Sequence, residues 1–254
     1  MIKKQIEIFF IALMFYTRIP GPGWVKYSPD KLNKATRYFP LVGMLVGGVG
    51  ALVYFLIASL GLIPIAIVFS LLVMICITGG FHEDGLADFF DGFGGGYSKP
   101  EVLSIMKDSR IGTFGALALI LLLLLKFVLM SELPVKNVPV IILMAHALSR
   151  LNPILLIYTS NYISIDDKGK AKDVGKRGSF LSLLIASIFA LIPLVLIEWI
   201  FIPILLVVLL VILITFRWYV HRRIGGYTGD VLGALQQFSE VGIYLTLIIG
   251  GQFL

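Results

Sequence analysis

Thr113-Phe114-Gly115-Ala116-Leu117-Ala118-Leu119-Ile120-Leu121-Leu122-Leu123-Leu124-Leu125-Lys126-Phe127-Val128-Leu129-Met130 decides the fold, because a single charge, Lys126, interrupts an otherwise apolar run. A helix needs about 20 mostly apolar residues to cross a bilayer. Lipid offers no hydrogen-bond partner, so a crossing segment must satisfy its own backbone. Comparable runs lie at Phe39–Leu60, Ile63–Gly80, Val138–Tyr158 and Val231–Leu254. Phe180–Ile214 is too long for one crossing and breaks at Glu198-Trp199 and Pro203, so it reads as two helices joined by a tight turn. The pattern predicts an all-α, polytopic integral membrane bundle of about seven transmembrane helices.

Composition agrees. The chain is 58% hydrophobic and 14% charged, whereas a soluble domain carries roughly 45–50% and about 25%. Too few polar side chains remain to cover a wet surface, so lipid must cover it. The net charge of +6 fits basic loops beside a membrane, and no nucleic-acid partner is assigned. The single cysteine, Cys76, excludes an intrachain disulfide framework and a Cys-based zinc site. Ile6–Tyr16 is short for a crossing. It follows Lys3-Lys4 like the apolar core of a signal peptide, but no small-residue cleavage site follows, and it reads as an interfacial or re-entrant helix. No linker, low-complexity tract or repeat divides residues 1–254, which read as one domain.

With seven crossings, segments 1–38, 81–112, 159–179 and 215–230 share a face. They hold 7, 3, 5 and 3 Lys/Arg, 18 of the chain's 21, against Lys136 alone in the opposite loops. Basic residues favour the cytoplasmic side, so this face is expected to be cytoplasmic in the cell membrane. Lys126 and Arg150 lie within crossings. Lys126 reads as snorkelling to the interface, with no further role.

The densest chemistry is Gly79-Gly80-Phe81-His82-Glu83-Asp84-Gly85-Leu86-Ala87-Asp88-Phe89-Phe90-Asp91-Gly92. Asp84, Asp88 and Asp91 are spaced i, i+4, i+7 and share a helical stripe about 60° wide. Three carboxylates so placed repel one another unless a cation lies between them. Hard oxygen ligands suit Mg²⁺ or Mn²⁺ better than zinc. His82 adds a candidate ligand and Glu83 a candidate base. The alternative is a solvated acidic helix surface, against which stand the flanking glycines, the apolar Leu86, Phe89 and Phe90, and the lack of intermingled lysine.

Lys107-Asp108-Ser109-Arg110 precedes a crossing. Arg110 can grip a phosphate through its planar fork, Asp108 can join a metal shell or act as base, and Thr113 can cap the next helix; a membrane-surface anchor is the alternative for Lys107 and Arg110. Arg150, beside Ser149 and one turn from His146, is a costly charge within a crossing and reads as a partner for an anionic ligand or an aspartate. Thr228-Gly229-Asp230 opens the last crossing, where a helix N-terminus favours anions. Asp230, Gly233, Gln237 and Glu240 then follow along one side of the helix. Lys168–Arg177 is a basic loop, either solvated or holding a polyanionic substrate.

These residues resemble the cobalamin synthase family, the adenosylcobinamide-GDP ribazoletransferases. The resemblance rests on Gly79–Asp88 with Asp91-Gly92, and on Thr17-Arg18-Ile19-Pro20, Phe39-Pro40-Leu41-Val42-Gly43, Met106–Thr113, Ser149-Arg150 and Thr228–Ala234 in the family's order. The loop Ile165–Arg177 departs from the family's Gly-Leu-Gly-like stretch there. The resemblance implies a Mg²⁺-dependent reaction joining adenosylcobinamide-GDP to α-ribazole or its 5′-phosphate, with GMP released. It points to Asp84, Asp88, Asp91, Asp108 and Glu83 as catalytic residues, with His82 beside the three aspartates as a metal ligand. Substrate contacts fall to Arg18, Lys107, Arg110, Ser149, Arg150, Thr228, Gly229, Asp230 and Glu240. Lipid is the standing partner, with room for a homo-oligomer or association with other cobalamin-assembly enzymes. The aspartate spacing also resembles that of CDP-alcohol phosphotransferases, although their fuller pattern is incomplete here. An ion or metabolite transporter is a further alternative, but it would spread its polar residues towards the midplane and both faces.

Orientation is open to a direct test. In a Cys76→Ser background, a Gly95→Cys label site should be unreachable by an impermeant reagent applied to intact cells. Labelling from outside would invert the topology.

Overall fold

The computed structural model describes residues 2–163 and 177–253. Residues 164–176, most of the basic loop, lie outside them. Within the described residues the chain is all-α, apart from one isolated parallel bridge between Tyr162 and Tyr227. Helix α1 (Ile2–Tyr16) buries Ile8, Ile11 and Ala12 and is tied to α2 (Pro29–Ala35) by a Lys31–Glu7 ion pair at 2.7 Å. A 3-10 turn (Thr36–Tyr38) then leads into α3 (Phe39–Ala58).

Each predicted apolar run is helical within the described residues. Among the described residues five helical stretches are long and apolar enough by themselves to cross a membrane, six if a bent pair counts as one, and the shorter apolar stretch Phe180–Leu196 brings the runs to the seven expected. Two breaks account for the bent pair and the short stretch. Helix α4 (Ile63–Thr78) stops after 16 residues, about 24 Å at 1.5 Å per residue. Gly79 and Gly80 both take left-handed φ, +70° and +69°, which side chains with a Cβ resist. The chain therefore turns, and α5 (Phe81–Gly95) leaves at 87° to α4. In the second break, α10 (Phe180–Leu191) runs into a 3-10 stretch (Ile192–Leu196) at Pro193. The turn at Glu198-Trp199 falls where the sequence places it. Pro203 sits in the first turn of α11 (Phe201–Ile224), where a missing N–H costs nothing.

Between these lie α6 (Lys99–Lys107), α7 (Thr113–Glu132), α8 (Val138–Leu148) and α9 (Leu151–Thr159); α12 (Gly229–Phe253) closes the chain. The α8–α9 break at Ser149-Arg150 follows from Pro153, whose ring clashes with the carbonyl four residues back, that of Ser149. The α8–α9 stretch is central, 83% buried against 17% for the lipid-facing α11. The polar residues are distributed accordingly, since side chains that lipid cannot solvate turn inward. Asn152 donates to Leu209 O and Ser239 Oγ, both at 2.9 Å, joining α9, α11 and α12.

Small residues let α3 meet α8 closely. A Cβ on Gly43 would strike the His146 carbonyl oxygen and the Arg150 side chain, and one on Gly47 would lie 3.0 Å from Ile142 O. At Gly48 the nearest atom is Leu143 Cδ1 at 4.0 Å. Gly43→Val should therefore lower thermal stability in detergent by about 1–3 kcal/mol or more, while Gly48→Ala leaves the melting temperature nearly unchanged. Equal effects of the two would contradict the packing.

Candidate active site

The elbow delivers α5 against the start of α12. Gly85 sits on Asp230, with room for a Cβ only 3.0 Å from its carbonyl oxygen, and a Cβ on Gly233 would lie 3.3 Å from Gly85 Cα. With no side chain between the helices, Asp84 and Asp88 of α5 come beside Asp230 of α12. The stripe is graded: Asp84 is exposed, Asp88 half-buried and Asp91 buried. Burial, then the charges of Asp230, Asp84 and Asp91, push the Asp88 carboxyl up to about 7. A carboxyl held against ionisation by its neighbours is one that a cation would relieve.

Both oxygens of Asp91 are already taken by backbone amides. Its Oδ2 accepts from Gly112 N at 2.7 Å and its Oδ1 from Gly115 N at 2.8 Å, so it caps α7 from another helix. It also pins the loop carrying Asp108 and Arg110, and takes over the capping expected of Thr113. His82 is not beside the carboxylates. At 100° per residue it lies about 160° round α5 from Asp84. It is 3% exposed, and its ring lies parallel to Phe39 at 5.6 Å. Among the described residues no three His, Cys, Asp or Glu side chains are arranged to hold a metal by themselves.

Glu83 is half-buried. Gln237 Nε2 donates to its Oε1 at 3.1 Å, and its buried Oε2 has no partner. Asp108 and Arg110 are tied together at 2.6 Å; the Arg110 hydrogen bonds hold the Asp108 carboxylate below its usual range. Lys107 is exposed at the end of α6. Arg18 is exposed and packs flat over Gly79 at the elbow, its amide donating to Ile77 O at 2.7 Å. Thr228 accepts from Val231 N at 3.3 Å and caps α12 beside Gly229. Arg223 donates to Phe93 O and Gly96 O, at 3.2 and 2.7 Å, closing the C-terminus of α5.

Three residues given to the substrate by sequence lie in the interior. Arg150 is 1% exposed; it donates to His146 O and stacks over Phe39, with Cζ 5.3 Å from the ring centre. Ser149 accepts from Gln236 Nε2 at 2.9 Å. Glu240 pairs with Lys126 at 2.9 Å and lies 3.4 Å from His146 Nε2. It also accepts from Gln236 at 2.9 Å and Tyr244 at 3.3 Å. Lys126 therefore does not snorkel; it turns inward to a carboxylate. Sequence reasoning missed this pair, and the signal was a lone lysine deep in one apolar helix and an acid deep in another. Gln237 donates to Gln236 Oε1 at 2.9 Å, so hydrogen bonds run unbroken from Lys126 through Glu240, Gln236 and Gln237 to Glu83.

Fold and site together define an integral membrane protein with an acidic, glycine-lined site where its helices begin and end. The sequence matches the cobalamin-5-phosphate synthase family over residues 8–248, and the chain belongs to that family. An adenosylcobinamide-GDP ribazoletransferase of Shewanella woodyi is 45% identical over 261 residues, 97% of each chain. One from Shewanella piezotolerans is 45% identical, covering 98% of this chain and 97% of its own. One from Shewanella oneidensis is 43% identical, covering 99% and 97%. No solved structure matches. The family resemblance read from the motifs is borne out.

Breaking a buried pair strands a charge, at about 3–5 kcal/mol. Lys126→Met and Glu240→Gln should each lower the melting temperature. The double variant should be more stable than the sum of the two losses allows. Strict additivity would mean that the pair is not formed.

Proposed function

We propose that this chain is an adenosylcobinamide-GDP ribazoletransferase acting at the cytoplasmic face of the cell membrane, late in cobalamin assembly. The carrying observation is the gathering of Asp84, Asp88 and Asp230 at the α5–α12 contact, within a family match that spans nearly the whole chain. A hydroxyl of α-ribazole, or of its 5′-phosphate, attacks the donor phosphorus next to the cobinamide. The bond between the two phosphates breaks and GMP leaves. Atoms balance if the hydroxyl proton passes to a base. Glu83 suits that role better than Asp108, because one of its oxygens is held by Gln237 and the other is unpartnered, whereas both oxygens of Asp108 are bound by Arg110.

The donor set suits Mg²⁺, with Mn²⁺ as substitute. Mg²⁺ is usually held by one or two carboxylates with substrate phosphates and water completing the shell, so a complete protein cage is not needed. One or two of Asp84, Asp88 and Asp230 would hold it, and bound there it would supply charge neutralisation for the diphosphate. Arg18, Lys107 and Arg110 contribute positive charge from the elbow and the α6–α7 loop. The start of α12 at Thr228 and Gly229 offers backbone amides to phosphate oxygens. Arg150 is buried against Phe39 and bound to the His146 carbonyl, so it is not placed among the substrate contacts. The cytoplasmic orientation is supported by the asymmetry of basic residues.

The assay is GMP formation from adenosylcobinamide-GDP and α-ribazole. Asp84→Asn and Asp88→Asn should each cut the rate by about 10²-fold or more, while protein yield and melting temperature hold, and chelation should abolish turnover reversibly. Full activity in both variants, or turnover in excess chelator, would falsify this assignment.

A further inference from the structure

On the far side of the α5–α12 contact lies a cavity that the diphosphate chemistry does not use. Its volume is about 50 Å³, and it opens to solvent. Its walls are mostly rings: Phe15, Tyr16, Phe39, Phe81 and His82, facing Ile157 and Leu232. Tyr16 stacks on Phe39 at 4.1 Å and Phe39 on His82 at 5.6 Å, in near-parallel planes. Phe81 stands edge-on to His82 at 5.3 Å. Among the described lining residues only Tyr16 and His82 carry polar side-chain atoms. His82 Nε2 is buried and has no hydrogen-bond partner, an expensive state for a ring nitrogen unless a ligand completes it.

We infer that this cavity is the subsite for the base of the acceptor nucleoside, a planar, largely apolar benzimidazole whose free ring nitrogen meets His82 Nε2. The inference rests on the ribazoletransferase reading and deepens it. Benzimidazole offers one unsubstituted nitrogen once the other carries the ribose, and its remaining edge is hydrocarbon. That matches a lining of aromatic faces with one unpartnered imidazole nitrogen. Guanine, the base of the donor, carries several donors and acceptors along its edge. Most would be buried here without partners, which disfavours guanine in this cavity. The placement also suits a nucleoside. At 100° per residue, Gly85 lies between His82 and the pair Asp84 and Asp88 around α5. Gly229 and Gly233, which line the cavity, flank Asp230 on α12. A base seated against His82 thus leaves its ribose to reach round the glycine contact towards the carboxylates.

The test uses full-length protein in detergent or nanodiscs. For His82→Phe, which keeps the ring and loses the nitrogen, KM for α-ribazole should rise about tenfold while kcat and KM for adenosylcobinamide-GDP stay nearly unchanged. Leu232→Trp, which fills the cavity, should act in the same direction. Independently of any variant, an azido-benzimidazole riboside should photolabel the wild type at residues 39, 81–82 or 229–233, and free α-ribazole should protect. Labelling confined elsewhere overturns the assignment. So does a raised Mg²⁺ requirement in His82→Phe with KM for α-ribazole unchanged, which would return His82 to the metal. Wild-type GMP release that depends on α-ribazole tests the underlying reading separately. Its absence removes that reading, whereas turnover with label elsewhere removes only the cavity.

Discussion

Two backbones meet at Gly85 and Gly233 with nothing but hydrogen between them, and the rest of the site depends on that contact. A methyl group at Gly85 would come within 3.0 Å of the Asp230 carbonyl oxygen, and one at Gly233 within 3.3 Å of Gly85 Cα, so either would force the two helices apart by a few tenths of an ångström. The contact itself depends on the elbow. Gly79 and Gly80 adopt left-handed conformations in succession, which removes α5 from the direction of α4 and sets it across the start of α12. Glycine thus acts twice, first by allowing a forbidden backbone angle and then by occupying no space.

The interior solves a different problem. Lipid cannot solvate Lys126, Glu240, His146 or Arg150, so each must find its partners within the protein. Glu240 takes most of this load, accepting from Lys126, Gln236 and Tyr244. Such a cluster adds little net stability over a well-packed apolar core. What it supplies is direction, because Gln236 and Gln237 are fixed by it and Gln237 in turn fixes one oxygen of Glu83.

Much of this was legible in the sequence, for physical reasons. Lipid imposes a long apolar period that few other environments require, so the positions of the helices could be read, as could the break at Glu198-Trp199. The acidic stripe and the start of α12 were also visible, since carboxylates and glycines are rare beside such segments. The elbow and the shortness of α10 were not, because they turn on two glycine conformations and one 3-10 stretch that hydropathy does not register. Asp91 and His82 were grouped with Asp84 and Asp88 on spacing alone. Spacing says which face of a helix a residue occupies but not which neighbour has claimed it. Asp91 went to the amides of α7, and His82 to the aromatic stack. Lys126 was misread for the converse reason: an isolated charge has no local pattern, and its partner lies more than a hundred residues away.

Helix α4 is about 6 Å shorter than a hydrocarbon layer of roughly 30 Å. A short helix draws the bilayer thin around itself or sinks its polar end below the headgroups. Either response keeps the Gly79-Gly80 elbow at the headgroups or just below them. A donor that is part macrocycle and part nucleotide has one portion that prefers lipid and another that prefers solvent. A site recessed at that boundary meets both portions at once, and the length of one helix sets its depth.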